Sequence, residues 1–339
     1  MNEWSGLLLR GAIGLLPVVA FLVALMALDS YKLVRLRVVA MVIGLGAASA
    51  LLSYLANVAM LRGLGLDLGL YARSVGPLFE EIAKGLVVIA LLYTHRIGFL
   101  VDAAIFGFAV GTGFAVVENL YFLQDLGHAN VAVWIVRGFG TALLHGGVQS
   151  IFAVMLTALT DRRGKLDFGA LLPALGAAWL LHAAFNQFVL PPIWQAMAML
   201  LVLPPVMMFV FARSERAVGD WLGTGFDADH HLLEVLDSGL FRGSPQGVYL
   251  RGLRAHFSGE VVADLLCCLR LHVELALRAK GLLMMRENGI DVPMDDDTRA
   301  RFEELHYLER AVGPTALRAL RPLLQVSRRD LWQLYVLGK

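Results

Sequence analysis

The stretch FLVDAAIFGFAVGTGFAVVENLYFL, Phe99–Leu123, carries two charges, Asp102 near its start and Glu118 near its end. A run of about 20 mostly apolar residues crosses a bilayer as a helix, so this stretch reads as a membrane span. Six further runs have the same character: Gly11–Leu28, Val38–Leu61, Val75–Tyr93, Val131–Leu159, Phe168–Leu190 and Ile193–Phe211. The spacing therefore predicts an all-α fold, a polytopic bundle of about seven transmembrane helices.

Composition agrees and sets a boundary. The 339 residues are 58% hydrophobic and 17% charged, with mean hydropathy +0.67, against about 45–50% and about 25% in soluble domains. Residues 1–212 hold 12 Lys/Arg and 10 Asp/Glu, whereas 213–339 hold 17 and 18. We expect a transmembrane domain at 1–212 and a helical soluble domain at 213–339. A net charge of +1 gives no nucleic-acid footprint. The two cysteines, Cys267 and Cys268, are neighbours, which excludes a disulfide scaffold and fits a reducing compartment. Met1–Leu9 has no Lys or Arg and no small-residue cleavage pattern follows, so a cleaved signal peptide is not expected.

Loop charges set an expected orientation. Lys32, Arg35, Arg37, Arg96, Arg162, Arg163, Lys165, Arg213 and Arg216 fall on one side, while Arg62 and Arg73 fall on the other. The N-terminus is then outside and the tail cytoplasmic, as in a multi-pass protein of a bacterial-type inner membrane. In the tail, Leu265, Leu269, Val273 and Leu277 form one helical stripe within Val261–Lys280. Glu303–Val312 and Pro314–Tyr335 read as further helices, with breaks at Gly243-Ser244-Pro245, Asn288-Gly289 and Asp295-Asp296-Asp297. His230-His231 has no metal-binding companion in the sequence and reads as a solvated loop. The tail shows no catalytic motif, and its partner is unknown.

Ionisable groups at membrane depth are costly, and by default functional. Here they are Glu80, Glu81, Lys84, Asp102, Glu118, His145 and His182, with Asn119 and Asn186 as polar companions. Lys84 follows Glu80 by four residues and Glu81 by three, so on a helix it can pair with either. Pro77 suits a helix start, which leaves a first-turn capping role open for the two glutamates. Asp102 reads as a cap. Glu118 and Asn119 end their span at a depth similar to Glu80 and Glu81. His145 sits mid-span before Gly146-Gly147. His182 and Asn186 share a helix face and can stabilise charge developing on a carbonyl oxygen. Together these residues can activate water and attack an amide. They also suit a divalent metal such as zinc. The sequence has no HExxH, no GxGD and no Gly-x-Ser-Gly setting for a serine nucleophile.

The Glu80-Glu81-x-x-Lys84 run, the Glu118-Asn119 pair, His145 and the His182-x-x-x-Asn186 pair resemble the PrsW family of intramembrane proteases. More distantly they are similar to the CAAX-prenyl-protease and bacteriocin-immunity group. The prenyl group has Arg where this chain has Lys84, which points to the PrsW side. The resemblance covers about Leu78–Asn186 and not the tail. It implies cleavage of a membrane-anchored protein substrate, such as an anti-sigma factor in stress signalling. Carried onto this chain it implies Glu80 as general base, His145 holding the water, and His182 with Asn186 at the oxyanion. Glu118 would be a further active-site carboxylate, and Glu81, Lys84 and Asn119 would support the site. Both a glutamic and a metal-dependent mechanism stay open, the latter with ligands drawn from Glu81, Glu118, His145 and His182. A proton-coupled transporter using the same groups as a relay, or a non-catalytic adaptor, are the readings from other classes.

Overall fold

The computed structural model describes residues 3–31, 34–64, 67–126, 128–290 and 295–324. Lys32 and the last part of the expected Pro314–Tyr335 helix lie outside these. The elements are α1 (Glu3–Ala27), α2 (Leu36–Leu64), α3 (Leu68–Leu70), α4 (Gly76–Tyr93), α5 (Leu100–Leu126), α6 (Val131–Val136), α7 (Leu143–Arg163), α8 (Phe168–Asn186), α9 (Pro192–Asp237), α10 (Pro245–Gly252), α11 (Gly259–Glu287) and α12 (Asp296–Leu324). No strand occurs among the described residues. The chain divides into two compact units, Met1–Glu215 and Arg216–Lys339.

Six helices are long and apolar enough to cross a membrane: α1, α2, α5, the run from α6 through α7, α8 and α9. The seventh expected span is α4. It has 18 residues and carries Glu80, Glu81 and Lys84, so length and composition alone do not mark it as a span. It packs instead among α2, α5, α7 and α8, inside the bundle where its charges find partners.

The core is the α5–α7 pair. The most apolar window of α5 is 83% buried, against 17% for α1. A helix apolar on every face belongs in such a centre. Leu16, Leu55, Leu172, Leu201 and Phe209 face outward, as a lipid-facing surface requires. Close approach of α5 depends on glycine. A Cβ at Gly111 would lie 2.1 Å from the carbonyl oxygen of His145, and one at Gly113 would lie 2.0 Å from that of Ile43. The first contact seats α5 directly against the turn of α7 that carries His145.

Two π-helical segments lead into the helices that bear the site. Tyr71–Val75 runs from α3 into α4, and Arg137–Ala142 joins α6 to α7. Such segments often mark functional positions in helices. The first also corrects an expectation. Pro77 does not begin a free helix, because the chain is already helical from Leu68 onward. Glu80 and Glu81 therefore do not cap an open first turn. Asp102 does cap, accepting from the backbone N–H of Gly98 (2.8 Å) and Phe99 (3.0 Å).

In the second unit α11 packs on α12. Leu265, Leu269 and Val273 meet Phe302, Leu305, Ala316 and Leu320, with Leu277 at the margin. Asn288 closes α11, and Gly313 kinks α12 at φ 78° just before Pro314. His230 and His231 are exposed, but they lie within α9 rather than in a loop. That helix continues beyond the apolar run on which its end was expected.

Candidate active site

Glu81 and Lys84 are one turn apart on α4 and fully buried. The ammonium of Lys84 donates to Oε1 of Glu81 at 2.5 Å. It also lies 3.1 Å from Nδ1 of His145 and 4.6 Å from the centre of the Phe114 ring. A buried pair is tolerable only with such added contacts, since each ion has lost its water. Oε1 of Glu81 meets Nδ1 of His182 as well, at 2.7 Å. Oε2 of Glu81 is buried without a protein partner among the described residues.

These partners each imply where one ring hydrogen sits. An ammonium can only donate, so Nδ1 of His145 accepts from Lys84 and Nε2 carries the hydrogen. That N–H faces Oε2 of Glu118 at 3.2 Å. A carboxylate can only accept, so Nδ1 of His182 carries hydrogen and donates to Glu81. Its Nε2 faces Oε2 of Glu80 at 3.8 Å. With Nδ1 committed to Glu81, this nitrogen and oxygen can share a positive centre, a proton on the ring or a metal ion. The two imidazoles meet edge to face, with centroids 4.9 Å apart.

Glu118 also faces a cation that the sequence reading did not include. Arg137, at the start of the π-helical segment before α7, places Nη2 3.2 Å from Oε2 of Glu118. Its Nε donates to Oδ1 of Asn119 at 2.8 Å, and its guanidinium lies 3.9 Å above the Phe122 ring. The cost argument that singled out Glu118 applies equally to an arginine inside the Val131–Leu159 run, so the signal was present.

Thus Glu80, Glu81, Lys84, Glu118, His145 and His182 converge from α4, α5, α7 and α8. The two amides are engaged elsewhere. Asn119 donates to the Gly14 carbonyl at 2.9 Å and ties α5 to α1. Asn186 donates to the Ala72 carbonyl at 3.2 Å and ties α8 to the π-helical segment before α4.

One oxygen of Glu80 and one nitrogen each of His145 and His182 lie within 4.8 Å of one another. Two imidazoles and a carboxylate are a donor set that zinc accepts, with a position left open for water or substrate. The hydrogen bond from His182 to Glu81 is the outer contact that orients a ligating histidine. The residues therefore fit a divalent metal. For His145 to join, one of its two hydrogen bonds must be given up. Of the ligands expected from sequence, His145 and His182 are in this group and Glu81 and Glu118 are not; its carboxylate is that of Glu80, which was expected as the general base.

A family model described as PrsW family intramembrane metalloprotease matches residues 34–213, more than half of the chain. The chain belongs to the PrsW family. No curated protein and no solved structure matches it. As a PrsW family member it is a peptidase and a multi-pass membrane protein acting on membrane-embedded protein substrates, which decides against the transporter and adaptor readings. The PrsW match includes all of the residues gathered here and stops short of the Arg216–Lys339 unit.

Proposed function

We propose that the chain is a metal-dependent intramembrane endopeptidase in which Glu80, His145 and His182 hold a divalent cation such as zinc. The observation that carries this is the convergence of Glu80, His145 and His182, one ligand atom of each lying within 4.8 Å of the others. A bound cation of this kind supplies Lewis acidity and a more acidic water. Glu81 orients His182, and Lys84 balances the charge of Glu81. Glu118, whose side chain is 25% exposed beside His145, takes the proton of the attacking water and returns it to the leaving amine. Arg137 holds Glu118 for that task. The substrate is a membrane-anchored protein, an anti-sigma factor in stress signalling being the class that the family resemblance suggests. The charge asymmetry of the loops supports an outer N-terminus, a cytoplasmic tail and a bacterial-type inner membrane.

The second reading puts a proton between His182 and Glu80. Glu80 is then the general base, with His145 holding the water. His182, and Asn186 once released from Ala72, face the carbonyl oxygen. Metal analysis of the purified protein separates the two readings, combined with cleavage of a co-expressed membrane-anchored reporter. Bound metal that is lost in His182→Ala, with activity removed by a chelator and restored by zinc, supports the metal reading. Metal-free protein that remains active overturns it in favour of the second.

A further inference from the structure

His145, Gln149, Ala153 and Thr157 succeed one another at intervals of four on α7, with Thr160 three residues further. That spacing keeps them on one face. Gln149 and Thr157 are fully buried, and Thr160 is 8% exposed. Both amide atoms of Gln149 and the hydroxyls of Thr157 and Thr160 lack a protein hydrogen-bond partner among the described residues. The helix does not force this. Thr112 on α5 satisfies its hydroxyl at the Phe108 carbonyl, and Ser150 satisfies its own at the Ala104 carbonyl.

Buried polar atoms without partners are rare in folded proteins, and bulk water is absent at membrane depth to relieve them. Four on one stripe of one helix are rarer still. Internal waters bind where several otherwise unsatisfied polar groups converge. At 1.5 Å per residue, His145 to Thr160 covers about 22 Å, most of the hydrocarbon thickness. The stripe ends beside Arg162, Arg163 and Lys165. At its other end His145 meets Lys84, the partner of Glu81, whose Oε2 is also unpartnered among the described residues.

We propose that this face of α7 binds a file of water molecules joining the Arg162–Lys165 end of the helix to the carboxylate and histidine cluster. Hydrolysis consumes one water for each peptide bond broken, its hydroxyl going to the new carboxyl and its proton to the new amine. The file would replenish that water from the side opposite the cluster. This supply role rests on the proposed function; the hydration itself does not.

Hydroxyl-radical footprinting tests the hydration, because radicals made from bound water oxidise the side chains next to it. Phe152, three residues after Gln149, and Leu156, four before Thr160, are 1% and 0% exposed. In purified full-length protein irradiated in oxygen-18 water, both should gain labelled oxygen at a dose that labels exposed Tyr307. The labelling should fall to background in Gln149→Leu/Thr157→Val, and in Thr157→Val alone should the double variant fail to fold. Unlabelled Phe152 and Leu156 in the wild type, or labelling unchanged in the variants, overturns the proposal. The measurement needs no proteolysis. A protein that labels as expected but cleaves nothing would count against the protease mechanism and leave the water file standing.

Discussion

Nδ1 of His182 lies 2.7 Å from Oε1 of Glu81, so the two adjacent glutamates of α4 meet the same ring from different sides. Glu81 holds the ring by Nδ1, and Glu80 faces Nε2 on the other side. Neighbouring residues on a helix point about 100° apart. A Glu-Glu pair can therefore divide an orienting role and a reacting role between its members.

That division predicts unequal effects of substitution. Glu80→Gln should abolish cleavage of a membrane-anchored reporter and remove bound metal. Glu81→Gln should keep the site residues but weaken metal affinity and activity by about 10–100-fold, the usual effect of losing an outer contact to a ligating histidine. Metal titration of both variants checks this. Equal effects would contradict the division.

Lys84 is predicted to matter for stability before it matters for chemistry. Lys84→Met leaves Glu81 as a buried charge without its cation, a loss of about 3–5 kcal/mol. Lys84→Met combined with Glu81→Leu should recover most of it, since a buried ion pair replaced by apolar groups is often neutral. Thermal unfolding in detergent reads both.

Much of this was legible in the sequence for a simple reason. Membrane helices announce themselves by length and apolarity, and charges inside them stand out. The bundle, the tail stripe of Leu265, Leu269 and Val273, and the cap at Asp102 all follow from local pattern. What local pattern does not hold is which partner each charge meets. The Glu81–Lys84 pair could be read from spacing, but its contacts with His145 and His182 join residues far apart in the chain. The π-helical segments at Tyr71–Val75 and Arg137–Ala142 arise from packing and have no residue signature. Pro77 does stand at the start of α4, but the π-helical segment before it leaves no open first turn. Arg137 could have been found, since it obeys the same cost argument as Glu118.

Arg137 should be hard to replace. Its Nη2 faces Glu118, its Nε donates to Asn119, and its plane stacks on Phe122. Lysine cannot reproduce a donor to Asn119, a charge beside Glu118 and a stacked plane together. Arg137→Lys should therefore lower the turnover of reporter cleavage by about 10-fold or more, with little change in expression or membrane insertion. Single-turnover and steady-state rates on a purified substrate would show whether the loss lies in the chemical step.

Gly111 tests how tightly α5 must seat against α7. A Cβ there would meet the His145 carbonyl at 2.1 Å, and backbone cannot swing aside as a side chain does. Gly111→Ala should destabilise the protein by about 1–3 kcal/mol and reduce cleavage, because it displaces the turn that carries His145. Gly44→Ala on α2 is the control. A Cβ there meets nothing within 4 Å, so that change should be neutral or stabilise by up to about 1 kcal/mol.

The tail offers a reactivity test independent of the membrane site. Cys267 is exposed and Cys268 is buried. Burial pushes the Cys268 thiol up to about 12, with Glu309 and Asp264 adding to the rise. A raised value means that the thiol keeps its proton at ordinary pH. At pH 8 only about one Cys268 in 10,000 would be thiolate, the form that reacts with maleimides. Native protein at that pH should therefore take up one maleimide, at Cys267, and denatured protein two. Rapid labelling of Cys268 in the native state would show that the α11–α12 core is open.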